Sequence, residues 1–224
     1  MRTIDPSAPA DKPETEQMKV IHRALTREFA LLPGQVERVP EGDTARARVI
    51  GAHLTLVLGM LHEHHEAEDE LLWPVLHQRV PMEDELIDTM ESQHHAIAEA
   101  IDAVGVAQEG WTRTADAGAR DTLSTRLREL EKVLTEHLTL EEEAVLPLIH
   151  ENLTVAEWLA PQKHAMDHSP SRLTDKLLTA GIVLEGTTPQ ERAWFLAEMP
   201  PPARVLWRLI GARQYAAHQR AVRA

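Results

Sequence analysis

Apolar residues recur along this chain at three- and four-residue steps in four long blocks, the period of a helix with one buried face. The first block predicts a helix from Glu16 to Leu32, with Met18, Ile21, His22, Leu25 and Phe29 on one side and Pro33-Gly34 ending it. A second helix is expected from Thr44 to His77, with Leu54, Val57, Leu61, His64, Glu68 and Leu72 in its stripe. A third runs from Pro81 to Gln108 and carries Leu86, Met90, His94, Ile97 and Ile101 inward. The stretch EGWTRTADAGA reads as a loop, and a fourth helix, Arg120 to His150, turns Leu127, Leu130, Leu134, His137 and Glu141 inward. Four long amphipathic helices with short connections predict an all-α, up-down-up-down four-helix bundle.

Flanking segments differ in character. Residues 1–15 hold three prolines and few apolar side chains, and are expected to be a mobile tail. Residues 16–150 form the expected bundle, and 151–224 a helical C-terminal extension. Thr188-Pro189-Gln190-Glu191 is a helix start signal, with a capping residue, proline at the first position and glutamate at the third. Pro200 to Pro202 interrupt before a last helix from Ala203, in a stretch with arginines and no acid. Trp207, Leu209 and Ile210 are expected to pack on the bundle while those arginines meet acidic side chains.

Composition narrows the chemistry. The chain has 224 residues, 43% hydrophobic and 26% charged, with only 4% aromatic, which favours a soluble helical protein over a sheet. No run approaches the roughly 18 uncharged apolar residues of a membrane helix and no signal peptide opens the chain, so a cytoplasmic protein is expected. The formal charge of −13 argues against a nucleic-acid partner. Cysteine is absent, which removes disulfides, thiolate nucleophiles and Cys-type metal sites, so a metal must be held by nitrogen and oxygen. Thirteen histidines stand out against that background.

The histidines fall into a duplicated sentence. His64/Glu68 matches His137/Glu141, Pro74 matches Pro147, and His77 matches His150, with Leu54, Val57, Met60 and Leu61 upstream matching Leu127, Leu130, Val133 and Leu134. His22 and His94 precede the two copies at nearly equal distances, in matching surroundings (Met18 with Met90, Leu25 with Ile97, Phe29 with Ile101). Residues four apart on a helix share a face, so each copy points an imidazole and a carboxylate at one spot. Both pairs lie in the apolar stripe, where an uncompensated carboxylate is strongly unfavourable. Four imidazoles and two carboxylates converging in a bundle suit a pair of divalent transition ions, with each carboxylate able to bridge. Such ligation also accommodates zinc or manganese.

The order His … His-x-x-x-Glu … His … His-x-x-x-Glu, each glutamate followed by a second acid and then a proline, resembles the hemerythrin-like (HHE cation-binding) family over residues 16–150. The resemblance implies a non-haem di-iron centre that binds O2 or related small oxidants such as peroxide and nitric oxide. It carries ligand roles to His22, His64, Glu68, His94, His137 and Glu141, with the two glutamates as bridges. Oxygen-carrying hemerythrins place two histidines four residues apart on the third helix, whereas the residue four after His94 is Ala98. One ion then holds water, or takes a ligand from His65, His95, His164 or His168. An open position favours reactivity or sensing over reversible carriage. Three functions follow as alternatives: stress-related handling of small oxidants, enzymatic or not; a sensor or storage module without turnover; and a regulatory protein stabilised by a redox-silent metal.

Around the motif, Glu66, Asp69, Glu70, Glu142 and Glu143 are candidates for outer partners or for the solvated helix face. His62 is expected outside the ligand set. His77 and His150 suit helix C-termini, Trp73 suits the core, and His53 has no counterpart in the second half. The prolines at 74 and 147 each free a backbone carbonyl and mark a kink or a helix end.

Overall fold

A computed structural model of the chain describes residue 4, residues 11–167 and residues 172–224. Among the described residues there is no strand, and four long helices, α1 (Glu16–Glu37), α2 (Thr44–Leu71), α4 (Asp84–Thr114) and α5 (Ala117–Leu140), carry the fold. Each packs against two of the others, α1 and α4 both lying on α2 and α5, so the four close into a bundle. Between α2 and α4 lie the short helix α3 (Trp73–Arg79) and a 3-10 turn, Pro81–Glu83. No helix of the described residues is long and apolar enough to cross a membrane.

Helix ends differ from expectation in several places. α1 does not stop at Pro33-Gly34 but continues to Glu37. A proline inside a helix costs about 3 kcal/mol, and burial of Leu32, Pro33 and Val36 against the core offsets it. The expected loop around Trp111 is helix: Trp111 lies two turns beyond Val104, and both side chains are fully buried, so the stripe extends α4 to Thr114. Ala115, at φ 51°, then reverses the chain, and the Asp116 carboxylate accepts from the Ala119 N–H to start α5. α2 ends at Leu71, just before Pro74. At the matching place in the second half, the Leu146 N–H bonds five residues back to the Glu141 carbonyl. Glu141–Val145 is thus a π-turn leading into α6 (Leu146–Asn152).

The apolar interior is split into two clusters by a polar layer. One holds Leu25, Phe29, Leu54, Val57, Leu61, Ile97, Leu127, Leu130 and Leu134. The other holds Leu72, Trp73, Leu76, Ile87, Met90, Val145, Leu146 and Ile149. Between them, on every long helix, stand the histidines and glutamates of the repeat. Along α1 and α4 the second cluster precedes the polar layer; along α2 and α5 it follows.

Beyond α6 come α7 (Val155–Trp158), α8 (Ala160–Asp167), α9 (Leu173–Leu184), α10 (Pro189–Glu198), α11 (Pro201–Leu206), a π-turn at Trp207–Gly211, and α12 (Ala212–Arg223). Thr188 and Glu191 make a reciprocal capping box at the start of α10. Leu177, Ala180, Leu184 and Trp207 form a small core of their own, while Ile182 and Val222 join that of the bundle. Contrary to expectation, Leu209 and Ile210 are exposed, because the buried Trp207 indole takes the inward face of that turn. A polar clamp ties the extension to α1 and α2. Fully buried Glu28 meets His53 Nε2 at 3.0 Å and Arg27 at 2.8 Å. His53 Nδ1 meets His218 Nε2 at 3.1 Å, and Glu185 meets Arg223 at 2.6 Å and the Tyr215 hydroxyl at 2.5 Å. His53 is thus a docking residue that the repeat could not reveal. At the N-terminal side, Pro13 and Glu14 are buried, Lys12 pairs with Glu151, and His150 Nδ1 donates to the Pro13 carbonyl at 2.7 Å.

Candidate metal centre

All six residues singled out by the repeat converge on the polar layer. Together with His65 they form two groups whose ligand atoms lie within 4.8 Å of one another: His22, His64, Glu68 and Glu141 in one, and His65, Glu68, His94 and His137 in the other. Glu68 belongs to both. Its Oε1 stands 3.5 Å from His64 Nδ1 and its Oε2 3.6 Å from His94 Nε2, one oxygen toward each group. Glu141 Oε2 lies 3.3 Å from His22 Nε2 and 3.7 Å from His137 Nε2, so the second carboxylate also stands between the groups.

The outer hydrogen bonds fix the tautomers. His22 Nδ1 meets Glu142 at 2.9 Å, His94 Nδ1 meets Asp69 at 2.5 Å, and His137 Nδ1 meets the Gln93 side-chain oxygen at 3.1 Å. Each Nδ1–H faces an acceptor, so each proton sits there and Nε2 turns a bare lone pair inward, the arrangement found around metal-bound histidines. His94 and His137 therefore face each other through two bare Nε2 atoms 3.1 Å apart. That is an unfavourable contact unless something cationic lies beside it, and close to the separation of two neighbouring donors on one ion. The Trp73 indole N–H donates to the same Asp69 oxygen at 2.9 Å and so braces the Asp69–His94 pair.

The layer holds donors without partners. Both oxygens of Glu68 and of Glu141, and the Nε2 atoms of His22, His64 and His65, are buried and unbonded. Native interiors rarely tolerate even one such atom. Burial, with the neighbouring Glu141 and Asp69 charges, holds the Glu68 carboxyl well above the usual carboxylate range, and burial raises Glu141 likewise. Burial, with the surrounding imidazoles, drives His64 and His65 far below the ordinary histidine range and His137 down to about 3. Neutral imidazoles and carboxylates without partners, aimed at common points, are a donor set suited to divalent cations.

The other candidates are scattered in and around the layer. His65, held only as a reserve, is 6% exposed and inside the second group. His95 points to solvent with 84% of its side chain exposed, and His62 is likewise exposed. His164 lies 3.7 Å from Glu70, outside both groups, and His168 lies outside the described residues. Asp69 and Glu142 act as outer partners, while Glu143 is on the solvated face. Trp73 is core, as expected. His77 lies in the last turn of α3, as expected, and pairs with Asp84 at 2.8 Å, which raises its pKa.

The family model for the hemerythrin HHE cation-binding domain matches residues 14–149, which include every residue of the polar layer. The chain belongs to that family. Among curated relatives, the iron-sulfur cluster repair protein YtfE of Yersinia pseudotuberculosis is 29% identical over 130 residues, 56% of this chain and 58% of that protein. YtfE of Yersinia pestis has the same identity over the same length, and that of Musicola paradisiaca is 27% identical over 128 residues. The similarity thus spans less than two thirds of those proteins. No solved structure matches the chain.

Proposed function

We propose that this protein is a non-haem di-iron protein that handles small oxidants, O2, peroxide or nitric oxide, in oxidative or nitrosative stress. His22, His64, His94 and His137 are its nitrogen ligands and Glu68 and Glu141 its bridges. The observation that carries the reading is the pair of donor groups sharing Glu68, with bare lone pairs turned inward and no protein partner for them. Iron is favoured over other ions that accept nitrogen and oxygen by the kinship with proteins named for iron–sulfur cluster repair, and the same kinship favours a role in protecting such clusters. When bound, two adjacent irons supply one-electron redox steps and an open position for a small ligand. The chain's own residues do the rest. Glu142, Asp69 and the Gln93 side-chain oxygen hold His22, His94 and His137 in the metal-binding tautomer. The two apolar clusters keep bulk water from the layer, and their rigid packing sets the spacing of the donors.

The test is anaerobic loading of the full chain with ferrous ion, then separate exposure to O2, peroxide and nitric oxide, followed by absorption and product analysis. Turnover of one oxidant supports a scavenging enzyme, and a stable coloured adduct a binding role. Full occupancy by zinc in protein purified without added metal, with no uptake of iron, would overturn the redox reading.

A further inference from the structure

Among the described residues, one buried metal-ligating side chain in the polar layer is not used by the six-ligand centre. We infer that His65 is a seventh protein ligand, the third nitrogen donor of the cation held by Glu68, His94 and His137. The assignment rests on the two-ion reading above and deepens it by making the two ions unlike.

Three observations converge on it. The His65 ring is buried with Nε2 enclosed and unbonded. It stacks on His94 at 4.0 Å between ring centroids, 14° from parallel, and meets His137 edge-on at 4.9 Å. Its ligand atom lies within 4.8 Å of those of Glu68, His94 and His137. With metal–nitrogen bonds of about 2.1 Å, opposite donors on one ion stand about 4.2 Å apart. The loosest pair in the group therefore has to close by no more than about 0.6 Å, with the His65 ring turning out of its stack on His94 so that both lone pairs meet at one point.

The substitution also explains Ala98. A cavity of about 240 Å³ opens beside the layer, between His65, His94, Ala98 and Ile101. Ala98 stands on the third long helix one turn after His94, where oxygen carriers of this family place a histidine. With no imidazole there, the neighbouring helix supplies one: α2 carries two consecutive histidines, and His65 reaches toward α4 as His64 reaches toward α1. The centre thus has three imidazoles on the ion beside the cavity and two on the other. An imidazole binds iron more firmly than the water it would replace, so His65 holds the cavity-side ion in place.

The experiment is an anaerobic ferrous titration of the full chain, with metal analysis and X-ray absorption counting of imidazoles, on the wild type, His65→Gly, His65→Gln, His95→Gln and His137→Gln. The wild type and H95Q are expected to bind two ions with five imidazoles between them. In both His65 variants the first ion binds as before, while the second weakens by more than the ~100-fold upper range for losing an outer partner. One imidazole scatterer disappears, and added imidazole restores the second ion to H65G but not to H65Q. H65Q fills most of the volume, so it reads the same titration if H65G fails to fold, as circular dichroism would show. Two ions bound within ~10-fold of wild type in H65Q, with the imidazole count unchanged, overturn the assignment. H137Q separates this failure from that of the centre: if the wild type takes up no pair of ions and H137Q behaves like it, the two-ion reading falls and the assignment with it.

Discussion

Replacing Asp69 by alanine tests how the protein sets a tautomer from outside the ligand set. Asp69 accepts from His94 Nδ1 at 2.5 Å and from the Trp73 indole at 2.9 Å. The indole nitrogen also lies 3.4 Å from His94 Nδ1. With the carboxylate gone, the buried indole N–H has one remaining acceptor, and donating to Nδ1 forces the His94 proton onto Nε2, where it blocks the lone pair meant for the metal. Loss of an outer partner typically costs 10–100-fold in metal affinity, about 1.4–2.7 kcal/mol. The Asp69 side chain is 46% exposed, so water takes over part of its role and the expectation is about 10-fold, confined to the ion that His94 holds. Phenylalanine at position 73 cannot donate, so the double variant D69A/W73F should bind that ion more tightly than D69A alone, a reversal that simple loss of packing does not produce. Competition with a ferrous chelator of known affinity reads both steps. Wild-type affinity in D69A, or a D69A/W73F variant weaker than D69A, would refute the tautomer argument.

Further outcomes follow from the same structure. In the metal-free protein Glu68 and Glu141 hold protons above the usual carboxylate range while His64, His65 and His137 are already neutral at pH 7. Cation binding must therefore release protons from the glutamates, and affinity must rise with pH through their raised range; calorimetry in buffers of different ionisation enthalpy should show protons released, not taken up. The isosteric change Glu68→Gln abolishes the pair of ions yet should leave metal-free protein at least as stable as wild type at pH 7, since it removes a buried carboxylate without a partner; thermal melts with and without chelator check this. A Cβ at Gly181 would collide with the Cβ and ring of Tyr215, so Gly181→Ala should loosen α12 by about 1–3 kcal/mol, seen as faster hydrogen exchange over Ala212–Arg223 with metal stoichiometry unchanged. His77 has its pKa raised by Asp84, so its contribution is complete below the unfolded value near 6.5 and fades as pH rises through the folded one. His77→Ala should therefore cost stability at pH 5.5 but not at pH 9, and equal melting shifts at both would contradict it.

The bundle and the six converging donors were legible because both follow from the helical period: a stripe position faces the core wherever the helix stays regular. Features that depend on the width of the layer were not. His64 and His65 are about 100° apart on α2, so a stripe argument keeps only one of them. The layer lies between four helices and receives α2 from two sides, with His64 edge-on to His22 and His65 stacked on His94. Trp111 and Pro33 misled for a different reason: local glycine and proline signals were outweighed by burial of large side chains. The docking role of His53 depends on His218, distant in sequence, and no spacing within either repeat could disclose it.

The proposed centre has two irons sharing Glu68 and Glu141 at the middle of the bundle. Its most direct test is a Mössbauer spectrum of the full chain loaded anaerobically with isotopically enriched iron and then oxidised. Two irons per chain in quadrupole doublets from an antiferromagnetically coupled, diamagnetic pair are the predicted result. A magnetically isolated high-spin ferric signal, or fewer than two irons retained per chain, would contradict it.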